Sequence, residues 1–376
     1  MNSRDEAVNY LKGYQLHYLK IRYGNSFYSK LSVNDPVNLS TFIDTYLDTR
    51  TSLSEEEKID IEIEIKNEML AGEVLHTEYE SVSDYRILKT VADKYMMLNP
   101  EFKAHEHLYF GTILSRAINA EIIPKPEYSA TFILFDGELM GACLLLSKII
   151  AQSLPFKPTP PYLFFPIKDS ELFANLVENK EIFDRIILGF YCCIYHRPGD
   201  SPQYFLKEDF LEYISFSLLE SMEFFVFSHE MGHYLTGDLN DNEDKSTLLE
   251  GMKISWREEH FADLHGLNQI IKLYHSNGNL LTLLGPEIFL RFSILREKNR
   301  PELAAIDTHP PSTQRLNIYR QFLSNFLSEA EQLSFSHFQW ILDILFEYYE
   351  KVLAKVIIGK NEFIKTNPQF GKYPEN

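Results

Sequence analysis

His229, Glu230 and His233 stand at a spacing that suits metal-assisted hydrolysis. In the pentapeptide His229-Glu230-Met231-Gly232-His233 the two imidazoles are four residues apart. On a helix they lie one turn above each other on the same face, so both can reach one cation. Glu230, one residue round from His229, points close enough to take a proton from a water held on that cation. The chemistry expected is that of one catalytic Zn2+ per chain, and such an ion usually takes three protein ligands.

Downstream, Glu259, His260, Asp263, His265 and His309 have the chemistry to be the third ligand. A motif extended by a third histidine needs Gly and His where this chain has Thr236 and Leu239, so that class is excluded. Glu259-His260-Phe261-Ala262-Asp263 matches the alternative. Glu259 and Asp263 share a helix face, so Glu259 can ligate while Asp263 accepts a hydrogen bond from the second ring nitrogen of a ligand histidine. Gly266, three residues beyond Asp263, would let this helix pack closely on the motif helix. The 26 residues from His233 to Glu259 suffice for a loop and the return of an antiparallel helix. His260 and His265 read as structural or surface residues. In His105-Glu106-His107 the histidines are two apart and do not converge on a helix, so this triplet reads as a decoy.

Pro310, Pro311 and Ser312 signal a helix start. Arg315 then falls in the first turn, where the helix dipole opposes a cation at a cost of about 0.3–1 kcal/mol. A nearby anion would offset that: a substrate carboxylate, a developing oxyanion, or Glu259.

Together these elements resemble the gluzincin metallopeptidases of the CAAX prenyl-protease and HtpX heat-shock protease family. That family's pattern is a His-Glu-x-x-His helix, a Glu-x-x-Ala-Asp helix, and a later Thr-His-Pro with an arginine six residues after its histidine. Here these are His229 to His233, Glu259 to Asp263, and Thr308-His309-Pro310 with Arg315. The resemblance implies zinc on His229, His233 and Glu259, with Glu230 as general base. It further implies His309 as the oxyanion donor, with Arg315 supporting it or binding substrate backbone. The activity implied is hydrolysis of peptide bonds in a protein or peptide substrate. The alternative is a zincin scaffold that no longer catalyses and serves as an interaction or regulatory protein.

The elements that must hold these residues are mostly helical. Asp5 to Ser32 carries apolar and aromatic residues at three- and four-residue intervals, and Ser54 precedes an acidic first turn suited to a helix start. The alternating Ile59, Ile61, Ile63 and Ile65 leave a strand open there. Thr131-Phe132-Ile133-Leu134-Phe135 reads as a buried strand stopped by Asp136-Gly137, and Glu138 to Ser153 returns to helical composition. The prolines between Pro155 and Pro166 rule out regular helix. Glu208 to Leu235 is a long apolar helix or helix pair ending near Gly237, Met252 to Tyr274 is the next helix, and short helices follow Pro301 to about Lys360. The fold class expected is α+β, predominantly helical: a zincin-like core with a small sheet and a large helical amino-terminal extension. Its divisions are a helical region over 1–120, a core with carboxy-terminal helices over 121–360, and a polar tail over 361–376. The amino-terminal helices are expected to cover the cleft.

With 376 residues, 45% hydrophobic, the chain can bury a substantial core. A net charge of −18 argues against nucleic acid and anionic membranes as partners. Cys143, Cys192 and Cys193 read as buried thiols, which fits a reducing, cytoplasmic setting. The amino terminus shows no secretory signal, and no apolar stretch is long enough for an integral membrane segment, so a soluble protein is expected.

Overall fold

The computed structural model describes residues 3–23, 54–70, 82–102, 108–115, 118–154, 157–159, 162–164, 180–195, 205–236, 254–304 and 309–358, together with 76, 77, 79, 80, 176, 198 and 201. His105, His107, Gly237, Thr308 and the tail lie outside them. The helices are α1 (Ser3–Tyr23), α2 (Glu55–Leu70), α3 (Val82–Leu98), α4 (Gly137–Ser153), α5 (Lys180–Tyr195), α6 (Asp209–Thr236), α7 (Ile254–Asn277), α8 (Leu284–Asn299), α9 (Ser312–Ser324) and α10 (Glu329–Ile358). Strands β1 (Leu108–Ile113), β2 (Ala120–Lys125) and β3 (Ala130–Asp136) form one sheet, and β4 (Lys157–Thr159) and β5 (Tyr162–Phe164) form a hairpin. The class is α+β and predominantly helical. Among the described residues no helix is long and apolar enough to cross a membrane.

β3 is the central strand, parallel to β1 and antiparallel to β2. Its unbroken apolar run follows from burial on both faces. Phe132 and Leu134 point to the side covered by Ala7 and Leu11 of α1. Ile133 and Phe135 point to the opposite side, where Phe135 and Phe110 meet Phe227 of α6 at centroid distances of 6.2 and 5.4 Å. Asp136 then caps α4, accepting from the Glu138 amide at 2.8 Å and the Ser115 amide at 2.6 Å.

The isoleucines of α2 are helical despite their alternation. Ser54 and Glu57 form a reciprocal capping box, Ser54 N donating to Glu57 at 2.8 Å and Glu57 N to Ser54 Oγ at 3.3 Å, and Ile59 and Ile63 stay exposed. Of the short helices expected after Pro301, a single turn at Pro301–Ala304 and α9 are present, whereas α10 departs from the expectation as one helix of 30 residues. No Gly or Pro interrupts it, and its buried Phe338, Ile341, Leu342, Leu345 and Tyr349 recur at helical spacing.

Two findings concern the amino-terminal region. The sheet joins segments from both sides of residue 120, and Leu88, Val91, Ala92 and Tyr95 of α3 share one core with α6. Residues 1–120 are therefore not wholly helical, and they share a sheet and a core with the residues that follow. Nor does α1 cover the cleft described below, because it lies against the far face of the sheet, where Gln15 Nε2 donates to the Thr112 carbonyl of edge strand β1 at 2.8 Å.

Candidate metal centre

Helix α6 is buried over most of its second half, from Ser221 to Gly232, so His229 and Glu230 leave it inside the protein. Helix α7 crosses it closely because small residues meet at the crossing. A methyl group on Gly232 would fall 2.8 Å from Ala262 Cα, and one on Gly266 would fall 3.1 Å from the Phe225 ring. The close approach expected at Gly266 is present. Gly232 and Ala262, which sequence reasoning did not single out as packing residues, form its tightest point.

This crossing brings the candidate ligands together. His229 Nε2 and His233 Nε2 are 3.1 Å apart. Glu259 reaches both, with Oε2 at 3.5 Å from His229 Nε2 and Oε1 at 3.6 Å from His233 Nε2. Two His and one Glu offering ligand atoms within 4.8 Å of one another could hold a metal ion. The donor set fits such an ion. Ligand atoms bound tetrahedrally at about 2.0–2.1 Å lie roughly 3.3–3.4 Å from one another, close to these separations. Glu259 Oε2 is buried with no hydrogen-bond partner, an arrangement that is costly for a carboxylate unless a cation faces it.

Behind the ligands, Asp263 Oδ1 lies 2.9 Å from His229 Nδ1, so that ring donates through Nδ1 and presents Nε2 to the site. Arg315 clamps the same carboxylate, Nε on Oδ2 at 2.8 Å and Nη2 on Oδ1 at 2.7 Å. The anion bonded to Arg315 in the first turn of α9 is thus Asp263, which the sequence did not suggest for it, and the charge of Glu259, one of the expected anions, adds to it. The Arg315 guanidinium lines the cleft and is held on Asp263, where it orders the ring behind the site.

Electrostatics follow from this packing. Burial works against a charged His229, but the hydrogen bond to Asp263 and the nearby Glu259 carboxylate outweigh it and lift the imidazole to about 10. Burial opposes ionisation of Glu259, yet His229, Arg315 and His309 bring its carboxyl down to about 2. Asp263 is likewise buried but held well below the usual carboxylate range by Arg315 and His229. Glu230, with no such clamp, is raised by burial. His309 stands at the rim, its side chain 55% exposed and its Nε2 3.2 Å from Glu259 Oε1; burial of its surroundings lowers its pKa. His260 is fully buried and neither ring nitrogen has a hydrogen-bond partner, while His265 shares a 2.9 Å hydrogen bond with Tyr95. Neither is a surface residue.

The centre opens into a cleft of about 960 Å³. Edge strand β2 lines one side through Ala120, Glu121 and Ile122, His309 to Ser312 another, and α8 a third through Phe289, Ser293, Arg296 and Arg300. The sequence reading missed the α8 wall, although its spacing of four, three and four residues is the signal of one helix face. Compared with protein-family models, with curated proteins and with solved structures, the chain matches none.

Proposed function

We propose that this protein is a zinc-dependent endopeptidase with a zincin-like core, related in its catalytic residues to the CAAX prenyl-protease and HtpX family. The observation that carries the reading is the convergence of His229, His233 and Glu259 at the floor of a cleft, with Glu230 beside them and Asp263 behind. His229, His233 and Glu259 would hold the ion. Bound there, zinc would lower the pKa of water toward about 7 and polarise a scissile carbonyl. Glu230 takes the proton of the attacking water on its carboxylate and delivers it to the leaving amine nitrogen, and its raised pKa suits both transfers. His309 donates from the cleft rim to the carbonyl oxygen as negative charge develops, where loss of one donor typically costs about 10²–10³ in rate.

Substrate backbone is aligned by β2. The other edge of the sheet, β1, is met by Gln15, whereas β2 borders the cleft and ends in a Pro124-Lys125 segment that limits how far an added strand can pair. An extended chain laid on Ala120 to Ile122 would run past the metal ligands.

Glu230→Gln tests the assignment. Turnover is expected to vanish while the protein keeps stoichiometric zinc, whereas His229→Ala loses the metal as well. New peptide termini should be compared across a proteome exposed to wild-type or Glu230→Gln protein. Termini produced equally by both would remove the proposed chemistry. Stoichiometric zinc with no new termini from the wild type would leave the non-catalytic scaffold.

A further inference from the structure

Arg296 shares the cleft with the metal ligands and differs from Arg300 and Arg315, the other arginines that line it. It lies on the cleft-facing stripe of α8, beginning at Phe289, whose ring is 6.3 Å from Phe225, which in turn is 6.4 Å from His229. At a rise of about 1.5 Å per residue, Arg296 stands roughly 10 Å further along the helix, the length of about three residues of extended peptide.

The other two arginines lining the cleft, Arg300 and Arg315, each have a fixed partner, as does Arg291 on the same helix. Arg291 pairs with Glu287 and Asp343, Arg315 with Asp263, and Arg300 with Glu302 while also donating to the Ile194 carbonyl at 3.2 Å. Among the described residues Arg296 has no carboxylate at ion-pairing distance. Its guanidinium lies over the Phe292 ring at 5.8 Å, and its Nε is buried without a hydrogen-bond partner. The groups whose charge reaches it are Cys193, Arg300 and Glu297. Glu297 is engaged by the amide and hydroxyl of Ser312, at 3.2 and 2.5 Å. Burial raises the Cys193 thiol to about 12, so it supplies no anion near neutral pH. Arg296 is half-buried, and its buried Nε is an unused donor; leaving such a donor unmet is costly, and an incoming carboxylate relieves that cost.

We infer that Arg296 is a specificity-determining residue that receives a carboxylate of the bound peptide. The carboxylate is either an acidic side chain or the peptide's free carboxy terminus. The peptide nature of the ligand rests on the proposed function; the preference for a carboxylate rests on the unpaired guanidinium.

The test uses the full chain carrying Glu230→Gln, loaded with zinc so that it binds without cutting. Two synthetic random-peptide libraries, one with free and one with amidated carboxy termini, are captured and sequenced by mass spectrometry. If an acidic side chain is the ligand, Asp or Glu is enriched at one position in both libraries. If the terminus is the ligand, capture collapses on amidation. Either result supports the proposal. Adding Arg296→Gln should cut the preference by about tenfold or more, and Arg296→Lys should keep part of it. Absence of any carboxylate preference in the Arg296 protein, or an equal preference after Arg296→Gln, overturns the inference. The first of those readings needs no variant at Arg296, so a misfolded Arg296→Gln protein does not protect the idea. Captured peptides are then offered to the uncut wild-type enzyme. Carboxylate-selective binding without cleavage retains the Arg296 site and removes the peptidase reading. Cleavage without carboxylate preference does the reverse.

Discussion

A single carboxylate, Asp263, links the charge balance of the centre to the geometry of its histidines. It orients His229 through Nδ1 and neutralises the buried guanidinium of Arg315. Asp263→Asn should lower zinc affinity about 10–100-fold, as loss of a carboxylate behind a ligand histidine typically does. It should also lower the melting temperature of the metal-free protein, because Arg315 would be left buried without its counter-charge. Competition against a zinc chelator and thermal melts read the two effects separately. The sign of the pH dependence follows from His229. Its folded pKa of about 10 exceeds its ordinary value, so the metal-free imidazole holds its extra proton at neutral pH. Zinc must displace that proton, and apparent affinity should therefore rise by about tenfold per pH unit across the neutral range. Calorimetry in buffers of different ionisation enthalpy should show proton release on binding; uptake, or no transfer, would contradict the assignment of His229. The stability that Asp263 contributes runs in acid: its pKa is depressed, so the contribution holds above the ordinary Asp range and is lost as pH falls through the folded value.

The crossing of α6 and α7 sets the distance from Glu259 to the two imidazoles, and Gly232 sets the crossing. A Cβ there would meet backbone, at 2.8 Å from Ala262 Cα, which cannot swing aside as a side chain does. Gly232→Ala should push the helices apart, displace Glu259 and weaken metal binding, although alanine is the better helix former. Gly13→Ala in α1 is the contrast. Nothing lies within 4 Å of the added methyl, and stability should rise by roughly 0.5–1 kcal/mol from helix propensity. Chelator competition and melting curves on the pair separate close approach from propensity. These elements also mark what the sequence made legible. The spacing of His229, His233, Glu259 and Asp263 was enough to place two helices and the face each turns to the other, because periodicity of 3.6 is a local property. The alternation of Ile59 to Ile65 misled for a matching reason: Ile59 and Ile63 are exposed, so burial does not dictate where they fall, and the Ser54–Glu57 cap is the local signal of the helix. Arg315 illustrates the limit on roles. Its need for an anion could be read from the helix start, but its partner lies 52 residues away on another helix, a distance in sequence that no local rule spans.

At the scale of the molecule, the question is what the amino-terminal helix does. Residue counts alone suggest a cover for the cleft, yet the described cleft lining begins at Ser115 and α1 packs on the opposite face of the sheet. There Ala7 and Leu11 meet Tyr109, Ile113, Phe132 and Leu134, so the strand that supports α6 from one side is supported by α1 from the other. The helix thus stabilises the platform on which the motif helix rests, and it also holds β2 from that side, where Tyr14 donates to Glu121 at 2.8 Å. Leu11, 1% exposed, isolates the two roles. Leu11→Ala removes buried volume without touching the centre and should destabilise the fold by about 2–5 kcal/mol. If α1 is a support, the melting temperature falls while the cleavage pattern on a peptide library, measured well below that temperature, stays the same. If α1 gated the cleft, loosening it would instead broaden the set of peptides cut at nearly unchanged stability, and that outcome would overturn the assignment of α1 to the back of the sheet's supporting role.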